Sequence, residues 1–116
     1  MTIRPGHILS AIAADDEEQT QTLVQRPGLH VQRIVSPPGF SMPEGEWFDQ
    51  DVEEWVLVLQ GRAGLRVGHE AGEVIVVNPG DHLLIPPHTR HRVEWTDPQH
   101  LTIWLAVHWE SVVGQE

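Results

Sequence analysis

One stretch of the sequence decides the fold: Asp49-Gln50-Asp51-Val52-Glu53-Glu54-Trp55-Val56-Leu57-Val58-Leu59-Gln60-Gly61. It begins with acidic and amide side chains, continues as an unbroken apolar run, and ends at a glycine. A run this short, partly β-branched and bounded by Gly, predicts a β-strand buried on both faces. Glu54 then lies where a buried strand begins. Because a carboxylate is costly to bury unless it is paired or bound to a metal, this residue is a candidate for a functional role.

Turn-forming residues divide the rest of the chain at short intervals, which is typical of all-β proteins rather than of β-α-β units. The predicted strands around the central one are 19–25, 29–36, 46–50, 63–67, 73–77, 82–85, 91–95 and 101–109. One closed antiparallel barrel of jelly-roll type would protect the edges of these strands. We therefore predict a single all-β domain, with an N-terminal segment (1–18) that has a short helical turn at 11–14, a barrel (19–109) and a C-terminal tail (110–116).

The composition excludes several classes of function. The chain has no Cys, which removes disulfides, thiolate metal ligands and thiol nucleophiles. All seven basic residues are Arg, so a Schiff-base lysine and a P-loop are excluded as well. The net charge of -10 repels phosphate backbones and anionic membranes, which predicts neither a nucleic-acid nor a membrane partner. The acidic run 15–18 is interpreted as a solvated turn or edge.

The apolar runs of the chain are too short to span a bilayer. The first residues also lack the sustained apolar core of a signal peptide. We therefore expect a soluble, cytoplasmic protein.

The segment after the middle of the chain resembles the second motif of the cupin superfamily, G-x5-P-x-G-x2-H. Gly80, Pro86 and His91 lie at the matching spacings, and His88 takes the place of the second glycine of the motif. This resemblance implies a small β-barrel that commonly holds one metal ion in its mouth and often forms homodimers.

The central stretch resembles the end of the first cupin motif, G-x5-H-x-H-x3,4-E-x6-G, because Glu54 precedes Gly61 by the required six intervening residues. The two histidines of that motif are absent. Their places are held by Phe48 and Gln50 if the spacer has three residues, and by Trp47 and Asp49 if it has four.

Of the three-His and one-Glu ligand set that the resemblance implies, only Glu54 and His91 carry over directly. Side chains two apart on a strand share a face, so the shorter spacer would point Phe48 and Gln50 into the barrel, where Gln50 offers an amide oxygen. The longer spacer instead adds Asp49 and gives the two-carboxylate, one-histidine type of set found at non-haem iron sites. We favour the shorter spacer because it leaves Asp49 outside, in an acid-rich turn.

Other histidines are candidates for the missing ligands. His108 shares a strand face with Trp104 and Ala106, and it points at the site if this face lines the cavity. His82 and His88 are weaker candidates, and for each of these three a structural or solvated histidine is the simpler interpretation. The five tryptophans, Trp47, Trp55, Trp95, Trp104 and Trp109, either wall an apolar cavity or act as core and dimer anchors.

Glu54 has a structural interpretation too, as a carboxylate that is ion-paired with Arg66 or Arg92. Arg92 follows His91 and would point to the opposite face of its strand. We therefore interpret Arg92 as a surface residue.

Two functions of different class follow, both with a small-molecule ligand and a homodimer. The first is a metal-dependent dioxygenase, isomerase or decarboxylase, with Glu54 and His91 as catalytic groups. A divalent transition metal (Fe, Mn, Ni or Zn) would be held by Gln50, Glu54, His91 and His108. The second is a ligand-binding or sensory cupin without metal, which Phe48 in a ligand place favours. A purely structural dimer module is a third alternative.

Overall fold

The computed structural model describes residues 1–10, 12 and 16–110 of the chain. Its ordered elements are eight β-strands, and no helix occurs among these residues. In chain order the strands are β1 (Gln19–Arg26), β2 (Leu29–Ser36), β3 (Glu53–Gln60), β4 (Ala63–Val67), β5 (Val74–Val77), β6 (His82–Ile85), β7 (His91–Thr96) and β8 (Thr102–Trp109). The prediction of an all-β antiparallel fold is confirmed.

The strands form two antiparallel sheets. The larger has the order β1-β2-β8-β3-β6, and the smaller has the order β5-β4-β7. From β3 onward the chain passes repeatedly from one sheet to the other, so strands close in sequence face each other across the core. Between the sheets lies a cluster of buried apolar side chains: Met42, Val56, Val58, Ala63, Leu65, Val77, Ile85, Val93, Trp104 and Ala106.

Gly61, the residue that ends the stretch 49–61, lies where the chain crosses from β3 in the large sheet to β4 in the small sheet. Its φ of 75° lies in the left-handed region that favours glycine. A Cβ at this position would come within 2.5 Å of the Thr102 hydroxyl and 2.6 Å of the Leu101 carbonyl. Only glycine fits this turn, which ends β3 and starts the chain toward β4.

Two predictions about local structure are wrong, and a third falls largely outside the described residues. β3 is buried on one face only, because Glu54, Val56 and Val58 are buried while the residues between them are half-buried. The strand predicted at 46–50 is reduced to one bridge, between Phe48 and His91. The helical turn predicted at 11–14 lies outside the described residues except for position 12.

In the described part of the chain, no helix is long and apolar enough to cross a membrane.

Candidate ligand-binding cavity

A cavity of about 210 Å³ lies between the two sheets. One part of its lining is apolar and consists of Ile34, Phe48, Val56, Leu65, Ile85, Val93 and Trp104. The other part is polar and consists of Glu18, Thr20, Gln32, Gln50, Glu54, His91 and His108. Arginine is absent from this lining, and the chain has no lysine.

The buried Glu54 carboxylate is the centre of the polar part, because a histidine approaches each of its oxygens. His91 Nε2 lies 3.2 Å from Oε1, and His108 Nε2 lies 2.9 Å from Oε2. The sheet brings His108 to this place, because Glu54 pairs directly with His108 across β3 and β8. His91 comes from the opposite sheet at the start of β7. We call Glu54, His91 and His108 the floor cluster.

The hydrogen bonds of the floor cluster define where its protons are. His91 Nδ1 lies 2.9 Å from the Thr89 carbonyl oxygen, which can only accept, so Nδ1 carries a proton. Its Nε2 faces a carboxylate oxygen, and this pair of acceptors favours the imidazolium form of His91, in line with its raised pKa. His108 donates through Nε2, and its buried Nδ1 has no hydrogen-bond partner among the described residues.

The partners of Glu54 decide how its carboxyl titrates. Burial alone would raise the pKa of Glu54, but the hydrogen bonds and positive charges of His108 and His91 outweigh burial and lower the pKa to about 2. For His91, burial lowers the pKa, whereas the hydrogen bonds to Glu54 and Thr89 and the nearby carboxylates together raise it above its usual value. Both shifts therefore favour the charged forms of Glu54 and His91.

A second carboxyl, that of Glu18, also lines the cavity, so the interpretation of this residue as part of a solvated turn or edge is wrong. Glu18 immediately precedes β1 and is half-buried. The fully buried Ser36 donates a 2.9 Å hydrogen bond to its Oε2, and the Trp104 indole N–H donates to the Ser36 hydroxyl. Burial raises the pKa of Glu18, and the bond from Ser36 offsets this only in part. In the sequence, Glu18 looks like the other acids of the run 15–18. Its one distinguishing signal is that it lies two residues before Thr20, because residues two apart on an extended strand share a face.

Phe48 and Gln50 both line the cavity, which is the arrangement expected from the shorter spacer. The Phe48 ring packs against the His91 ring at 5.3 Å and is 39% exposed, so it forms part of the rim. Asp49 lies outside, 3.7 Å from the exposed His88 ring. His88 has a φ of 58°, the one positive value at a described non-glycine residue, which explains why the cupin motif has glycine at this place.

Arg92 is not a surface residue, because only 4% of it is exposed. Its guanidinium donates hydrogen bonds to the carbonyl oxygens of Met42, Pro43 and Glu46. The loop that carries these carbonyls covers the outer face of β7. The alternation of side chains along a strand predicts which face Arg92 is on, but not that a loop covers this face. Arg66 pairs with Glu94 at 2.6 Å, so the ion partners of Glu54 are histidines and not the two arginines proposed from the sequence.

The remaining candidates lie outside the cavity. His82 is exposed and accepts a hydrogen bond from the Trp55 indole on the outer face of the large sheet. Of the five tryptophans, only Trp104 lines the cavity. Trp47 packs under Arg90, Trp95 under Arg62, and Trp109 donates to Glu53.

The floor cluster has donor types that suit a divalent transition metal but an arrangement that does not. A carboxylate and two imidazoles are typical ligands of such ions. Here each Glu54 oxygen faces a histidine Nε2, and both His91 nitrogens lie within 3.2 Å of an acceptor oxygen, whereas metal ligation needs a deprotonated nitrogen that is free to bind. No group of three or more His, Cys, Asp or Glu in residues 1–10, 12 and 16–110 is arranged to hold a metal ion.

Comparison with known proteins identifies the family. A family model described as "Cupin domain" matches residues 33–108. A crystal structure from Ralstonia eutropha JMP134, named provisionally as a mannose-6-phosphate isomerase, is 38% identical with a TM-score of 0.86 and covers 93% of this chain and 99% of that chain. This chain belongs to the cupin family, which confirms the resemblance found in the two motifs. Glu18 and Thr20 lie before the matched residues.

More distant structures share the fold alone. A cupin superfamily protein from Desulfitobacterium hafniense DCB-2 is 18% identical, has a TM-score of 0.72, and covers 87% of this chain and 84% of that chain. An Fe(II)-HppE structure is 14% identical, has a TM-score of 0.69, and covers 86% of this chain and 53% of that chain. A search of curated proteins gives no match.

Proposed function

We propose that this chain is a ligand-binding cupin that takes one small organic molecule into the cavity between its sheets. The observation that carries the proposal is the closed floor cluster. Both nitrogens of His91 are engaged, and a carboxylate with a pKa of about 2 is a weak base. The cluster therefore supports fixed recognition of a ligand better than proton transfer.

The size and charge of the cavity narrow the ligand. A cavity of about 210 Å³ is somewhat larger than the roughly 150 Å³ cavity that accepts benzene, so the ligand is compact. Phosphate recognition relies on Arg, Lys or helix N-termini, and this lining provides none of them. We therefore do not propose a sugar phosphate as ligand, although the Ralstonia eutropha relative bears such a name.

A metal-dependent enzyme is the second candidate, favoured by the convergence of Gln50, Glu54, His91 and His108 on one cavity. In this case an Fe, Mn, Ni or Zn ion would have to displace the histidine protons from Glu54. Metal analysis of the purified protein distinguishes the candidates. We expect far less than one ion per chain, even after incubation with each of these metals and dialysis, whereas a stoichiometric ion that is lost in Glu54→Ala would favour the enzyme.

Ligand binding is tested with benzyl alcohol, a compact neutral probe, observed through the indole N–H signal of Trp104 in 1H–15N spectra. We expect a saturable shift of this signal, because Trp104 lines the cavity. Val93→Phe would fill the cavity and abolish the shift. Val76→Phe makes the same change at a half-exposed site and should leave it intact. A wild-type protein without any shift would contradict the proposal.

We also propose that the chain forms a homodimer through the outer face of the large sheet. Leu84 is 56% exposed and pairs with Trp55, which is itself only half-buried. An apolar patch of this kind commonly marks a protein interface. Sedimentation velocity measures the oligomeric state, and a Leu84→Glu variant should be monomeric if the proposal is correct.

A further inference from the structure

The Glu18 carboxyl differs from the floor cluster because no cationic side chain in the described part of the chain lies beside it in the cavity. Ser36 is its one hydrogen-bond donor among the described residues, and the bond involves only Oε2. The Ser36 hydroxyl donates its one hydrogen to Glu18, and its oxygen accepts from the Trp104 indole N–H, which can only donate. This chain of bonds fixes the carboxyl in the wall of the cavity and leaves its other oxygen for a ligand.

The surroundings of Glu18 combine an uncompensated acid with an apolar wall. Trp104, which supports Ser36, and Ile34 both line the cavity, and the opposite sheet adds Leu65 and Val93. Two kinds of partner can satisfy an acid buried in this way: a proton, or a cation brought by the ligand. A ligand with an apolar body and a cationic group would match both the acid and the wall.

We propose that Glu18 is the specificity-determining residue of the cavity and that it binds the ammonium group of a small apolar amine. The inference rests on the proposed ligand-binding function, since it names the class of ligand. The cupin family model does not include Glu18, because the match begins at residue 33. The amine preference therefore belongs to the residue that precedes β1 and not to the shared motif residues.

Three probes with one ring and different head groups test the inference: benzylamine, benzyl alcohol and benzoate. We expect benzylamine to bind most tightly and benzoate most weakly, measured by titration of the Trp104 indole signal. Glu18→Gln keeps the shape and the acceptor for Ser36 but removes the charge. It should weaken benzylamine about tenfold or more, as expected for the loss of a charge-assisted hydrogen bond, and change benzyl alcohol by less than about threefold.

The matched control is Glu44→Gln, which makes the same change of charge at an exposed loop residue and should not affect any probe. Equal affinities for the three head groups, or an unchanged benzylamine affinity in Glu18→Gln, would overturn the amine inference and leave ligand binding intact. If none of the probes binds the wild-type protein, ligand binding itself is wrong. The ranking of the head groups uses the unmodified protein, so it decides the question even if Glu18→Gln does not fold.

Discussion

Two carboxyl groups of the same type line one cavity, and their pKa values shift in opposite directions. The pKa of Glu54 falls to about 2, whereas that of Glu18 rises above its usual value. Burial acts in the same direction on both. The difference lies in the partners: Glu54 accepts from two histidines, and Glu18 accepts from one neutral hydroxyl. The partners, rather than the depth of burial, decide whether a carboxyl in this cavity keeps its charge.

The cavity therefore has one part in which the buried carboxylate has charged partners and another part in which the buried carboxyl has a neutral partner. The floor cluster satisfies its own charge and contributes to a stable structure. Glu18 lacks a compensating charge and is the part that a ligand can complete. We therefore expect substitutions at Glu54 to affect stability first and substitutions at Glu18 to affect ligand selectivity first.

The largest expected effect is that of Glu54→Gln on stability. An amide has one acceptor where the carboxylate has two, so one of the two histidine N–H groups would face another donor. We expect a loss of about 2–4 kcal/mol in the free energy of unfolding, measured by urea denaturation at neutral pH. Glu18→Gln should change this free energy by less than about 0.5 kcal/mol. Similar losses in the two variants would remove the distinction between the two carboxyls.

Ser36→Ala has an intermediate expected effect. It leaves the buried Trp104 indole N–H without its acceptor, and we expect a loss of about 1–2 kcal/mol in urea denaturation. It also removes the bond that partly lowers the pKa of Glu18, so this pKa should rise further in an NMR titration. Ser41→Ala, whose hydroxyl donates only to the adjacent Met42 carbonyl, is the matched control and should be nearly neutral. A Glu18 pKa that does not rise in Ser36→Ala would show that the bond does not exist.

The smallest expected effect is on the pH dependence of stability. The low pKa of Glu54 makes stability rise with pH between about 2 and its ordinary 4.5, because the unfolded chain binds the proton more readily there. The raised pKa of Glu18 has the opposite sign, so stability falls as pH increases from 4.5 through the Glu18 pKa of the folded state. His91 adds a separate loss as pH rises above 6.5 through its raised pKa.

Glu18→Gln should abolish the decrease in stability that begins above pH 4.5 and leave the increase in stability below pH 4.5 unchanged. Urea denaturation of both proteins at a series of pH values measures the difference. A Glu18→Gln profile that is parallel to the wild type at every pH would mean that the Glu18 pKa is not raised in the folded state.

Much of the fold was predictable because strand signals are local. Glycine, proline and short apolar runs gave most of the strands within one residue of their observed bounds. The two wrong predictions both concern contacts with segments that are distant in the sequence. A strand at 46–50 would require a partner strand along its whole length, but only Phe48 forms a bridge. The face of β3 opposite Glu54 was predicted to be buried, whereas it is half-buried in the sheet.

Some residues of the candidate site were also predictable from local spacing. Motif spacing identified Glu54 and His91, and strand alternation indicated His108, since the spacing of residues along a strand is fixed. Glu18 and the burial of Arg92 were not predictable. Both depend on which distant segment covers a strand face: the large sheet brings Glu18 to Ser36, and the loop at 42–46 covers Arg92.

The sequence by itself determined the family, the all-β class and the acidic and imidazole groups that meet in the cavity, because each of these follows from residue type and short-range spacing. The tertiary structure decided which carboxyl holds its charge and which lacks a partner. That outcome depends on distances between segments far apart in the chain, and the electrostatic energy of a buried group is set by the few atoms that surround it.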